Sequence, residues 1–237
     1  DVIAVGANSA LHYEGISNVA LDAGTTEVLN AVWASGIDEV FIGGSAGVVL
    51  EHSNTGYASP GWASTDMGSL GGVIYALWGV SPDNVYGSSY GTDVMHYDGS
   101  VWAEVFDVAS ASIRALWGNS ESDIWGSGSA GMVIHYDGSS WTEMPTGVSA
   151  YLYDVWASGP SDAYAVGTDL TIVHWDGSAW TTQLTGDSSL YTVWGSGPDH
   201  VFAAGAFGRI LHFDGSAWSP VRSPTSNHLK EMWGAGP

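Results

Sequence analysis

Six histidines recur along the chain, His12, His52, His96, His135, His174 and His212, separated by 40, 44, 39, 39 and 38 residues. Imidazole is both a metal ligand and an acid–base catalyst, so the series raises both chemistries. The spacing argues against convergence. One histidine per repeat places the rings on a wide circle about an axis, too far apart to share one tetrahedral ion, and each is expected to hydrogen-bond a neighbouring backbone group or carboxylate. GGSAG (43–47) and GSSYG (87–91) fit the G-x-S-x-G nucleophile elbow, and GSGSAG (126–131) fits the G-x-G-x-x-G dinucleotide fingerprint. Both chemistries need a following helix whose N-terminal N–H groups supply the donors, and none is expected here, so all three read as Gly-Ser hairpins at one point of the repeat. The Asp-Gly turns lack the alternating Asp ladder and bidentate Glu of a calcium loop. The sequence therefore predicts no catalytic residue, no metal ligand set and no cofactor.

What must position these side chains is a repeat. Trp followed by Gly or Ala falls at Trp33, Trp78, Trp117, Trp156, Trp194 and Trp233, with spacings of 45, 39, 39, 38 and 39. After His12 the chain reads HYEGISN, and after His96, His135, His174 and His212 it reads HYDGSVW, HYDGSSW, HWDGSAW and HFDGSAW, with Trp102, Trp141, Trp180 and Trp218 each six residues beyond their His. His52 and Trp62 are ten apart, so that hairpin carries a four-residue insertion. The last full unit resolves into strand A (190–195), B (201–205), C (209–213) and D (217–221), separated by turn residues. Asp-Gly between apolar runs predicts a type I′ turn with two residues at positive φ.

Units of about 40 residues with four strands each are β-propeller blades. The chain starts at a strand B and stops after a strand A, so tail and head are expected to complete one blade. The expected fold is all-β, a single six-bladed propeller over residues 1–237 with blades at 1–28 plus 229–237, 29–73, 74–112, 113–151, 152–189 and 190–228. The inner Trp series is expected to pack between blades, with the outer Trp series shared between packing and ligand stacking. Asn18 stands where the composite blade would carry its outer Trp.

Four Lys and Arg against 25 Asp and Glu give a net charge of −21 in 237 residues. Counterion release from nucleic acid needs several clustered cations, and Arg114, Arg209, Arg222 and Lys230 are scattered, so nucleic-acid binding is excluded. An anionic membrane would repel the chain, and no apolar run is long enough to span one. Acidity with a single Lys suits a secreted or cell-surface protein, read here as a monomer from which any signal peptide has been removed. A sialidase would need three arginines converging on a carboxylate, whereas the three present occupy different repeat positions without an Arg-Ile-Pro element.

VWGSGPDHVFAAGAFGRILHFDGSAW (193–218) resembles the W-G-x-G-x-x-D-V-x-A-V-G…H-Y-D-G-S-x-W units of secreted myxobacterial propellers. The unit is also similar to tectonin-type lectin repeats, and AYAVGTDLTIVHWDGSAW (163–180) to propeller lectins of insect-pathogenic bacteria. The resemblance covers essentially the whole chain and implies a propeller with lectin-like recognition. Histidine stands where tectonins usually carry Arg or another polar residue, so their sugar contacts do not carry over. The expected function is non-catalytic recognition, binding glycans multivalently, with protein interaction or a structural scaffold as the alternative and a hydrolase as a third reading. Shallow equivalent sites combine through effective concentration. The residues expected to bind are the aromatics and turn aspartates of the hairpins: Tyr97, Asp98 and Trp102; Tyr136, Asp137 and Trp141; Trp175, Asp176 and Trp180; Phe213, Asp214 and Trp218. A docking loop is expected between Asn54 and Gly72 if the partner is a protein.

Overall fold

The structure, a computed structural model, describes residues 2–7, 9–13, 18–21, 24–36, 39–53, 62–66, 72–90, 94–108 and 111–234. Most of the 54–72 segment, and the side chain of Asn18, lie outside them. The chain forms two compact units, residues 1–112 and 113–237.

The first unit holds three antiparallel meanders. They are β1 (Val2–Gly6), β2 (Ser9–Tyr13) and β3 (Asn18–Leu21); then β4 (Leu29–Gly36), β5 (Glu39–Gly44), β6 (Val48–Ser53) and β7 (Trp62–Asp66); then β8 (Ile74–Ser81), β9 (Asn84–Ser89), β10 (Val94–Tyr97) and β11 (Trp102–Phe106). The second unit repeats the pattern in β12 (Ile113–Ser120), β13 (Asp123–Gly128), β14 (Val133–Tyr136) and β15 (Trp141–Glu143); β16 (Leu152–Gly159), β17 (Asp162–Gly167), β18 (Ile172–Trp175) and β19 (Trp180–Leu184); and β20 (Leu190–Gly197), β21 (His200–Gly205), β22 (Ile210–Phe213) and β23 (Trp218–Val221). Six antiparallel sheets of this kind are the blades of a β-propeller.

Burial explains the composition of each strand. The second strand of a blade lies between two neighbours in its sheet and is covered on both faces, so β13 is buried at every residue, while the outermost β19 is largely exposed. The core is distributed between adjacent sheets. Trp125 and Val133 of one blade meet Leu152, Val155 and Ala165 of the next, and Tyr164 and Ile172 meet Leu190, Val193 and Leu211. In the first unit Phe41 and Val49 pack on Ile74, Leu77 and Trp102.

The N-terminal sheet contains three strands, β1-β2-β3. Residues 229–234, expected to add its inner strand, have no strand pairing among the described residues, and Trp233 is 80 % exposed where the equivalent Trp156 is 4 % exposed. This segment docks within its own unit: Leu229 N–H donates to Gly205 O at 3.0 Å.

The Asp-Gly turns differ from type I′. Only the glycines, Gly99, Gly138, Gly177 and Gly215, have positive φ, between 87° and 90°. The aspartates keep ordinary φ because the Oδ1 of each organises the turn, which sequence pattern alone does not reveal. Asp137 Oδ1 accepts from Ser139 N–H (2.9 Å), Ser139 Oγ (2.7 Å) and Ser140 N–H (2.9 Å), and Asp98, Asp176 and Asp214 do the same with their serines.

Candidate functional site

Each hairpin brings its expected aromatics together. Tyr97 pairs in register with Trp102, Tyr136 with Trp141, Trp175 with Trp180 and Phe213 with Trp218, with ring centroids 5.2 to 5.8 Å apart. Three of the pairs also face the preceding blade: Trp102 is buried and packs edge-on against Phe41, as Trp180 does against Trp125 and Trp218 against Tyr164. The neighbouring aspartates are exposed, and their serine hydroxyl and backbone donors hold Asp137, Asp176 and Asp214 down at about 2.

Behind each hairpin the periodic histidine is held by the residue twelve positions earlier, at the start of the second strand. His96 Nε2 meets Asn84 Oδ1 at 2.8 Å, His135 meets Asp123 Oδ1 at 2.8 Å and His174 meets Asp162 Oδ1 at 2.7 Å. Asp123 also accepts from Trp125 Nε1 at 2.8 Å, and the Trp125 ring lies 4.0 Å from that of His135. These are blade-stiffening contacts, and among the described residues no three His, Asp or Glu side chains converge on a metal-binding point. GGSAG and GSGSAG connect strand to strand through short 3-10 turns, Ser45–Gly47 and Ser129–Gly131, which gives neither an elbow nor a phosphate-binding helix.

A different set of residues gathers at the opposite end of the second unit's strands. There the turn between the second and third strands hydrogen-bonds both to the start of its own sheet and to the chain entering the next. Thr168 N–H donates to Tyr151 O at 3.0 Å and Ala206 N–H to Ser189 O at 2.9 Å; Gly131 N–H reaches Ala150 O at 2.8 Å. These bonds, with that from Leu229 N–H to Gly205 O, fix the loops that carry Tyr151 and His228 and the turn tip that carries Phe207. Tyr153 and Tyr191 come from the second residue of β16 and β20. The rings run in a line, Tyr151 to Tyr153 at 5.2 Å, Tyr153 to Tyr191 at 5.4 Å, Tyr191 to His228 at 5.8 Å and His228 to Phe207 at 5.5 Å. Cations flank it: Lys230 Nζ stands 3.6 Å from the Tyr191 ring centre and Arg114 lies 5.8 Å from that of Tyr151. Half of the chain's four Lys and Arg therefore sit on one aromatic strip.

Phe207 is 72 % exposed with φ of 58°, a left-handed conformation that disfavours a bulky side chain. Equivalent turns put Ala46 and Ala130 there. Below the strip, Asp154 of β16 and Glu231 take a position that is Ala31, Ala76 and Ala115 in three other inner strands. Burial, with the Glu231 charge second, pushes Asp154 up to about 7, although Val193 and Val155 N–H each donate to it at 2.9 Å. Desolvation moves Glu231 in the same direction.

Pattern reading missed this strip because it aligned the invariant positions. The signal was in the variable one: between the apolar first residue of the inner strand and its Trp, the second residue reads Asn30, Tyr75, Arg114, Tyr153, Tyr191 and Lys230.

The fold defines a β-propeller. No protein-family model matches the chain, and no curated protein matches it in sequence. Solved structures similar to it are the YCF48 protein of Cyanidioschyzon merolae (14% identity over 99% of this chain and 85% of that one, TM-score 0.77), YCF48 bound to D1 peptide (15%, 92% and 76%, TM-score 0.71) and the WD40 propeller domain of Doa1 (11%, 97% and 80%, TM-score 0.75). At these identities the likeness is one of fold, and function is argued from the site.

Proposed function

We propose that this chain is a non-catalytic recognition propeller that takes an extended peptide segment of a partner protein across the Tyr151–Tyr153–Tyr191–His228–Phe207 strip. The observation that carries the reading is the strip itself: five rings in sequence, flanked by Arg114 and Lys230. Rigid aromatic faces supply contact area at low entropic cost, and Tyr and Arg are enriched where binding energy concentrates. A strained, exposed Phe207 is retained at a cost in stability, which is expected of a residue kept for binding. The solved YCF48–D1 complex is a propeller of similar fold with a peptide bound, which supports the class of ligand.

Multivalent glycan binding is the second reading, favoured by four near-identical hairpins each placing an aromatic pair behind an exposed aspartate. Peptide and glycan arrays probed with the wild type, Tyr153→Ala and Trp141→Ala distinguish the two. Peptide signals lost in Tyr153→Ala alone support the strip. Glycan signals weakened by Trp141→Ala and untouched by Tyr153→Ala replace it with the hairpins.

A further inference from the structure

The β20–β23 sheet breaks the acid–histidine rule of its neighbours. Where Asn84, Asp123 and Asp162 stand, this sheet has His200, so His212 Nε2 meets His200 Nδ1, at 2.8 Å. Two neutral imidazoles meeting head-on through an N–H···N bond would hold their ring centres about 5 Å apart. Here the centres are 4.5 Å apart with ring planes at 84°, so the two rings are tilted out of a head-on line. An ion with metal–nitrogen bonds of about 2.0 Å and a cis angle of about 90° separates its nitrogens by about 2.8 Å, whereas a tetrahedral ion separates them by about 3.3 Å. The observed 2.8 Å is the length of an N–H···N hydrogen bond and also that of two nitrogens placed cis on a square-planar or octahedral ion, so the metal-free pair already has the spacing such an ion needs.

The pair is also pre-positioned. Phe202 stacks on the His212 ring at 4.4 Å and contacts His200 edge-on at 5.3 Å, and both histidines are half-buried rather than sealed. Asp199 precedes His200 in a chain of net charge −21, which favours a cation there.

We propose that His200 and His212 form a two-imidazole chelate for a Cu(II)- or Ni(II)-type ion, with water completing the coordination. In the metal-free pair one facing nitrogen carries a proton. On binding, that proton moves through solvent to the outer nitrogen of the same ring, leaving both facing lone pairs for the ion and releasing no net proton from neutral histidines. Imidazole ligation and the Irving–Williams order give Cu(II) above Ni(II) above its lighter neighbours.

The test is calorimetric titration of the tag-free full chain with Cu(II) and Ni(II) chlorides. The comparison variant is His200→Asp, which restores the pair found in β13 and β17 and keeps the blade folded. His228→Ala serves as a second variant. One equivalent of Cu(II) is expected, bound at least tenfold more weakly by His200→Asp and equally well by His228→Ala, with coupling to two nitrogens in the Cu(II) electron paramagnetic resonance spectrum. Undiminished binding in His200→Asp, no saturable binding at millimolar metal, or a spectrum lacking two-nitrogen coupling would each overturn the proposal.

Discussion

The Trp194 indole lies directly over the backbone of Gly234: a Cβ at that glycine would stand 2.6 Å from the ring. Gly195 has the same relation to Trp156, at 2.6 Å, and in the first unit Gly79 to Trp33, at 2.9 Å. In these three Trp-Gly dipeptides the glycine thus seats the tryptophan of the preceding repeat. Gly195→Ala is expected to destabilise the chain by about 1–3 kcal/mol through overpacking, measured as a lower urea midpoint with unchanged m-value. Ala157 marks the exception that fits: Trp117 donates its Nε1–H to Ala157 O at 3.0 Å, so a Cβ is accommodated at that junction.

Asp123 supports two rings at once, accepting from Trp125 and contacting His135, and it is 5 % exposed. Removing it strands buried polar groups. Asp123→Ala is expected to cost about 2–4 kcal/mol. Asp123→Asn should cost less than half as much, because Asn84 holds His96 in the same way one blade earlier. Equilibrium denaturation of the two variants checks the ratio; equal losses would mean that the carboxylate charge, rather than the hydrogen bonds, matters.

How much of this was legible in the sequence follows from what a repeat conserves. His96, His135 and His174 fixed the third strand, and the outer Trp series fixed the fourth, because hairpin register and inter-blade packing demand the same residue in each copy. The insertion between His52 and Trp62 was equally visible, and these two residues are register partners across β6 and β7. The turn type was misread because an Asp side chain, not the backbone, directs it. The strip was invisible for the opposite reason: Tyr153, Tyr191 and Phe207 occupy positions the blade leaves free to vary, and only the packing of successive loops brings them into line.

Asp154, raised to about 7, makes stability depend on pH in a defined direction. Between the ordinary carboxylate value near 4 and about 7, the folded chain binds a proton that the unfolded chain has released, so stability falls as pH rises through that window. Asp137, Asp176 and Asp214, held at about 2, act oppositely and withdraw their contribution as pH falls below about 4. The urea midpoint is expected to peak near pH 4–5 and decline towards pH 7.5. Asp154→Ala, which installs the residue of three other inner strands, should flatten most of that decline; a wild-type midpoint that rises from pH 5 to 7.5 would contradict the assignment.

Phe207 separates binding from folding. Its left-handed φ of 58° suits Asn far better than Phe, and at 72 % exposure the ring contributes little to the core. Phe207→Asn is therefore expected to leave the melting temperature unchanged or raise it by a few degrees, consistent with relief of about 1 kcal/mol of backbone strain. The same change removes the terminal ring of the strip, 5.5 Å from His228, and should weaken binding of a strip-dependent peptide about tenfold or more. A fluorescence titration with such a peptide, alongside thermal melts, measures both quantities. Loss of stability with affinity intact would show that the ring serves the fold and that the binding surface ends at His228.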